Sequence, residues 1–245
     1  MTTVGTATLD DITRLRGLVE KELEGCQNLQ AAAQRFSELL FEELVDSAVL
    51  LRVFATASFT QLPEMERGFA VRLSQERGFE AELRPSTTVV TLLGTRGRRA
   101  SWNERRLSKR HLAIPLVRTS FIKTIPMVSR LMSEMGTGVA WVEKQHNNIV
   151  VKTMGKMASV LHVDDAREAT TADGFKVVPD QDFVSANGVH TVVGLAGAYL
   201  NGTVVAVIVF TDERAPAERV NKFMPLINAY KVATMKNVMA GRIFA

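Results

Sequence analysis

The stretch GLAGAYLNGTVVAVIVF, Gly194 to Phe210, constrains the fold more than any other part of this chain. Three glycines fall within nine positions, and an almost wholly apolar run comes after them. Such glycines can cradle a phosphate or close a tight turn in a sheet. The phosphate option fails on spacing. A phosphate-binding loop needs a lysine and then a serine or threonine after its last glycine, whereas Gly202 is followed by Thr203 and Val204. Gly194 and Gly197 do not match the dinucleotide spacing either. The residues after Gly202 read as a strand, so no helix N-terminus is placed there to hold an anion.

The turn option fits. Asn201-Gly202 is the favoured pair for a two-residue type I′ hairpin turn, because both central positions need positive φ. A loop of two residues sets Leu200 against Thr203, Tyr199 against Val204 and Gly197 against Ala206. Gly194 and Gly197 then lie inside a strand, where they mark a bulge or leave room for something to approach the backbone.

Periodicity gives the remaining elements. Ile12, Leu15, Val19 and Leu23 put one apolar face on a helix from Leu9 to Gly25, with Thr8 and Asp11 at capping-box spacing. A second helix, Leu29 to Leu44, has Asn28 as its N-cap. Strands are expected over Ser47–Thr56, over Thr87–Thr95 with Gly94 and Gly97 ending it, over His111–Leu116, and in MASVLHVDDARE. A helix runs from Pro63 to Arg77. Ser120–Met135 is apolar at helical intervals, and Pro126 either kinks it or marks its true first turn. GVAWVEKQHNNIVVKTMG reads as two strands joined at His146-Asn147-Asn148. Pro179 opens a short helix that ends at Gly188. Val220, Phe223, Ile227, Tyr230 and Val238 share a face of the closing helix, Pro216–Met239, with Pro225 implying a bend or a late start. Hairpin connections force antiparallel pairing. The fold class is therefore α+β, a central antiparallel sheet flanked by helices, with the N- and C-terminal helices packed together. The domain division is an N-terminal helix, 1–27, ahead of a globular unit, 28–245.

Composition excludes several classes. At 245 residues and 46% hydrophobic, the chain can bury a sizeable core. Its longest apolar runs are far shorter than the roughly 20 residues of a membrane span. No secretion signal is visible, and a cytoplasmic location is expected. One cysteine, Cys26, allows neither an internal disulfide nor a multi-cysteine metal site. The four histidines have no zinc-helix spacing. No nucleophile-elbow motif occurs. The acid pairs Asp164, Asp165, Glu168 and Asp180, Asp182 read as caps and solvated turns, so no catalytic residue and no metal ligand is assigned.

The net charge of +4 is concentrated. Arg96, Arg98, Arg99, Arg105, Arg106, Lys109 and Arg110 stand against a single acid, Glu104. Such a cluster is either a solvated face or a binding surface for an anion. It has one aromatic and no stacking ladder, so nucleic acid is not the expected partner. Trp102 and Asn103 beside Arg105, Arg106 and His111 are the residue types that stack on a planar ligand and pair with its anionic group. These five, with His162, are the candidate ligand-binding residues.

Gly188, Val192-Val193-Gly194, Asn201-Gly202 and the strand Val205 to Phe210, closed by a long helix, resemble the end of a GAF domain. TLLGTRG…WNERRLSKRHLAIPL and PDQDFVSANGVHTVVG resemble a GAF-like subgroup of bacterial sensor and signalling proteins. The resemblance covers roughly residues 28–240. It implies a GAF/PAS-like sheet, a cavity near the Trp102–His111 connection, and homodimerisation through terminal helices. It also implies a stand-alone sensory or regulatory role without catalysis, in which a small anionic or planar molecule or a signalling partner protein is bound. The cofactor is unknown. One alternative is a haem or other cofactor sensor on the same fold, with His111 or His162 as axial ligand. A second is an enzyme using the cavity. Cys26 stands alone upstream of the domain, which departs from the GAF-fold methionine sulfoxide reductases.

Overall fold

The structure is a computed structural model and describes residues 2–134, 158–171 and 173–245. The chain opens with two helices, α1 (Leu9–Leu23) and α2 (Leu29–Glu43). Thr8 and Asp11 form the expected capping box, with the Thr8 amide donating to the Asp11 carboxylate at 2.9 Å. Asn28 accepts the Ala31 amide at 2.8 Å and caps α2. Next come strand β1 (Ala48–Ser58), helix α3 (Glu64–Glu76), strands β2 (Thr88–Gly97) and β3 (Ala113–Pro115), and helices α4 (Thr119–Lys123) and α5 (Pro126–Glu134). After the segment 135–157 come β4 (Ala158–Val163), α6 (Gln181–Ala186), β5 (Val192–Ala198), β6 (Val204–Thr211), α7 (Ala217–Asn221) and α8 (Met224–Met239). The expected hairpin at His146–Asn148 lies outside the described residues. No helix among the described residues is long and apolar enough to cross a membrane.

Among the described residues the sheet has six strands in the order β3-β2-β1-β6-β5-β4, every pairing antiparallel. Strand alternation gives it two unlike faces. Leu51, Val53 and Ala55 of β1, with Val205, Val207 and Val209 of β6, point to one side. There they join the buried stripes of α1, α2 and α8 in one core, and the Phe36 and Tyr230 rings meet edge to face at 5.1 Å. Ile12, Leu15, Val19 and Leu23 of α1 belong to this core; the terminal helices pack on one another, and α8 also packs on β4 and β5. Leu50 and Phe54 of β1 and Ala206, Ile208 and Phe210 of β6 point to the other side.

Several elements differ from the sequence expectation, each for a local reason. Strand β2 does not stop at Gly94 but runs on to Gly97. Gly94 is there for packing: a Cβ on it would lie 2.3 Å from the Ala33 carbonyl oxygen of α2. The helix backbone thus rests directly on the strand backbone. Next to this contact the Gln34 side chain donates to the Thr95 carbonyl at 3.2 Å and accepts the Thr95 amide at 3.1 Å. Pro126 opens a separate helix, and Pro225 sits in the first turn of α8, which starts late after α7. The short helix after Pro179 is capped by Asp180, which accepts the Phe183 amide at 3.0 Å.

The hairpin after β5 has three loop residues, Leu200, Asn201 and Gly202, instead of two. The Gly202 amide donates to the Tyr199 carbonyl at 3.0 Å, and the Tyr199 amide to the Thr203 carbonyl at 2.8 Å. Gly202 has φ +86°. This is a turn closed by a glycine bulge. The Asn201 carboxamide oxygen accepts the Thr203 amide at 3.1 Å and so satisfies the extra residue. The register accordingly moves by one, to Ala198 opposite Val204 and Gly197 opposite Val205. Gly194 is where Leu161 of β4 closes in, 2.9 Å from where a Cβ would stand.

The Gly94 contact predicts opposite outcomes for two Gly→Ala changes. Gly94→Ala should lose about 3 kcal/mol or more, because backbone cannot yield as a side chain can. Gly17→Ala, on the exposed side of α1 with nothing within 4 Å, should gain about 0.5–1 kcal/mol. Urea unfolding of both variants checks this; equal effects would remove the backbone contact as the explanation.

Candidate functional site

The face of the sheet away from the terminal helices borders a cavity of about 1170 Å³. Its floor is Leu50, Arg52, Phe54, Ala206, Ile208 and Phe210. The connection from Arg98 to Leu112, helices α4 and α5, and the approach to α6 surround it. Aliphatic and aromatic side chains dominate the lining, with a few polar groups set among them, as in small-molecule sites.

The connection after β2 is held in place by its own sequence. Gly97 lacks a side chain where the Trp102 indole lies; a Cβ there would be 2.8 Å from the ring. Asn103 accepts the Gly97 amide at 2.8 Å, and Thr95 donates its hydroxyl to the Trp102 carbonyl at 2.8 Å. Trp102, Phe183 and Phe210 form a row of edge-to-face rings, with centroids 5.5 and 5.2 Å apart. The Arg99 guanidinium covers the indole at 4.9 Å.

Arg105 holds the same connection from behind. It is buried in an ion pair with Glu66 of α3 and donates to the Gln30 side chain at 2.9 Å and to the Leu92 carbonyl at 3.3 Å. Both its terminal nitrogens are engaged, and it does not border the cavity. Arg106 is exposed and also outside the lining, as is Asn103, whose side chain is turned to the backbone. His162 lies on the helix-covered side of the sheet, where its Nε2 is 2.8 Å from the Ala215 carbonyl. Of the six residues expected from sequence, the structure brings Trp102 and His111 to the cavity and places Asn103, Arg105, Arg106 and His162 elsewhere. Within the basic run, Arg98 pairs with Asp212 at 2.6 Å and Arg110 with Asp180 at 3.3 Å. The latter pair lies at the exposed rim of the cavity.

Sequence reasoning missed Arg52. It stands at the centre of the sheet, opposite Thr95 of β2 and Ile208 of β6. Its Nη1 is 3.3 Å from His111 Nδ1. A guanidinium can only donate, so this nitrogen accepts and the neutral imidazole carries its proton on Nε2. Burial, then the positive charges of Arg52 and Arg110, push the His111 pKa down to about 4, against a smaller opposing pull from Asp180. Burial alone pushes Arg52 down to about 10, so it stays a cation at neutral pH. No carboxylate pairs with it among the described residues, and its Nε is buried without a hydrogen-bond partner. The signal was present in SAVLLRVFAT, where a single charge breaks an apolar strand in phase with Leu50 and Phe54.

No protein-family model matches the chain, and no curated protein matches it. Solved structures do. The phycocyanobilin-bound GAF domain from a cyanobacterial phytochrome aligns over 94% of this chain and 96% of that one, at 8% identity and a TM-score of 0.50. A free methionine-R-sulfoxide reductase from Neisseria meningitidis, in complex with its substrate, aligns over 98% of each chain, at 8% identity and a TM-score of 0.49. The likeness is one of fold: the chain has a GAF-like fold, as the sequence resemblance implied.

The His111 environment has a pH consequence. Its folded pKa lies below its ordinary value of 6.5, so between pH 6.5 and 4 the unfolded chain binds a proton that the folded chain does not. Stability contributed by neutral His111 is thus full above that window and falls as pH drops through it, by about 3 kcal/mol at most. His111→Gln keeps an acceptor for Arg52 and cannot titrate. Its urea midpoint should fall less than that of the wild type between pH 7 and pH 5; parallel falls would contradict the assignment.

Proposed function

We propose that this GAF-like chain is a sensory or regulatory module without catalysis of its own, holding an apolar small molecule in the cavity on the open face of its sheet. The observation that carries this reading is the unlike covering of the two faces. Three helices fill one side with packed side chains, while the other borders a cavity of about 1170 Å³ lined mainly by apolar groups. That volume is ample for a drug-sized or cofactor-sized ligand. Within it Trp102 and Phe183 offer ring faces and edges for a planar body, and Arg52 and His111 offer polarity at the floor.

Output runs through the sheet to the terminal helices. Leu51 and Val53 flank Arg52 on β1 and are buried in the core beneath the helices, so a ligand on one face is one strand layer from α2 and α8. The expected homodimer, or a signalling partner protein, belongs to this proposal. Exposed Leu9 on α1 and exposed Val232 and Met239 on α8 support the terminal helices as its surfaces.

The haem alternative is less well supported at His111. Axial ligation needs a ring nitrogen with a free lone pair, and the one lone pair of this neutral imidazole faces Arg52. For the enzyme alternative, Cys26 is half-buried against the helix-side core, across the sheet from the cavity.

The test is ligand retention. Ala206 sits on the cavity floor between Phe54 and Ala196. Ala206→Phe would project a ring from the floor into the cavity. Native mass spectrometry of the protein from its own host should show a bound small organic molecule, and the variant should lose it while melting within a few degrees of the wild type. Retention of the same molecule by Ala206→Phe would place its site elsewhere.

A further inference from the structure

Arg52 narrows the chemistry of the ligand. Resting on the cavity reading above, we propose that the ligand is an organic monocarboxylate, with its anionic head on Arg52 and its apolar body along the remaining lining.

The donor inventory leads there. A guanidinium has five N–H groups in a planar fork and no acceptor. Arg52 spends one side on His111 at 3.3 Å, its Nε is buried with no partner, and no acid of the described chain reaches it. A cation drawn out of water is destabilised unless an anion or further acceptors complete it. Arg105 supplies the internal contrast. It is more deeply buried than Arg52, a few residues from His111, and has a carboxylate, a carboxamide and a carbonyl around it. Among the described residues Arg105 has its partners and the half-buried Arg52 lacks an anionic one, and Arg52 is the one that lines the cavity.

Charge and shape select the head group. His111 is neutral in this contact, so the floor presents one positive charge. The other charged side chains lining the cavity, including Arg72, Glu76, Glu104 and Lys109, are exposed at its rim. A dianionic phosphate would leave a charge uncompensated among Leu50, Phe54 and Ile208, whereas a carboxylate matches the fork with two parallel hydrogen bonds and balances the charge. The body is either an acyl chain or a fused ring system. Aliphatic groups from α5 favour the first and the Trp102–Phe183 row the second, so both belong in the test.

Two fluorescent acids serve as probes: dansyl-aminoundecanoic acid for a chain and anthracene carboxylic acid for a plane, each beside its methyl ester. The wild type should bind at least one acid about tenfold or more tighter than its ester, the scale of a hydrogen-bonded ion pair. Arg52→Met should erase that preference while still binding the ester, and Arg52→Lys should keep part of it. Whichever acid binds identifies the body. Equal binding of acid and ester by the wild type, or an undiminished preference in Arg52→Met, overturns the anion site and leaves the cavity reading intact. Binding of no probe by the wild type, or binding unaffected by Ala206→Phe, overturns the cavity reading itself. Folding provides an independent readout: Arg52→Met should melt at or above the wild-type temperature, because it removes a half-buried charge without an anionic partner. A marked fall would show that Arg52 already has its partners within the fold.

Discussion

The architecture turns on the seating of α2 against β2. Where Gly94 lets the Ala33 carbonyl come within 2.3 Å of a would-be Cβ, helix and strand meet backbone to backbone. The Gln34 carboxamide bonds both polar groups of Thr95 beside that point. This contact fixes which side of the sheet the helices occupy and carries β2 past Gly94 to Gly97 in an extended form. The arrangement on the far side depends on that extension. Gly97 can then receive the Trp102 indole, Asn103 can bond the Gly97 amide, and Arg105 can reach Glu66 on α3. The wall of the cavity is thus suspended from a helix on the opposite face.

Two arginines show how the same side chain acquires different meanings. Arg105 is buried and satisfied, and its work is to anchor a connection. Arg52 is half-buried and, among the described residues, short of acceptors, and it sits where a packed apolar residue would serve folding better. Arg96 of β2 likewise has a buried Nε without a partner among the described residues, but of the two only Arg52 lines the cavity. His111 belongs with Arg52. Its lone pair offers Arg52 a neutral acceptor, which positions the guanidinium without cancelling its charge.

Much of the fold was legible because local rules governed it. Thr8 with Asp11, Asn28, and the stripes of α1, α2 and α8 depend on neighbours within a turn or two, and they form as read. Gly94 was misread as a stop because its reason is the Ala33 carbonyl, distant in sequence and on another element. The hairpin at Asn201 was recognised, but its register hangs on whether the Asn side chain bonds Thr203, which the dipeptide alone does not decide. The site divides in the same way. Trp102 and His111 reach the cavity because they share its connecting segment. The fates of Arg98, Arg105 and Arg110 depend on Asp212, Glu66 and Asp180, contributed by distant elements. A run of positive charge in sequence says nothing of how many acids converge on it in space. Arg52 was legible only as an anomaly of phase, one charge at an inward position of an apolar strand.

The position of Arg52 also bears on how binding would be felt elsewhere. Strand β1 is central, hydrogen-bonded to β2 on one side and β6 on the other. Its pairing with β2 shifts between Val53 and Phe54, immediately beside Arg52. Such an irregularity is the place where a strand twists most readily. Leu51 and Val53, on either side of Arg52, are fully buried against the helix layer that contains Phe36 and Tyr230. Cores of this density do not absorb small displacements; they pass them on as repacking. An anion that draws Arg52 toward the cavity would therefore act on β1 beside the point where β2 carries its extra residue, Leu93, and on the helices through Leu51 and Val53. On the proposed reading, a ligand lacking the anionic head would fill the same space without that pull, so occupancy and signal would be separable quantities.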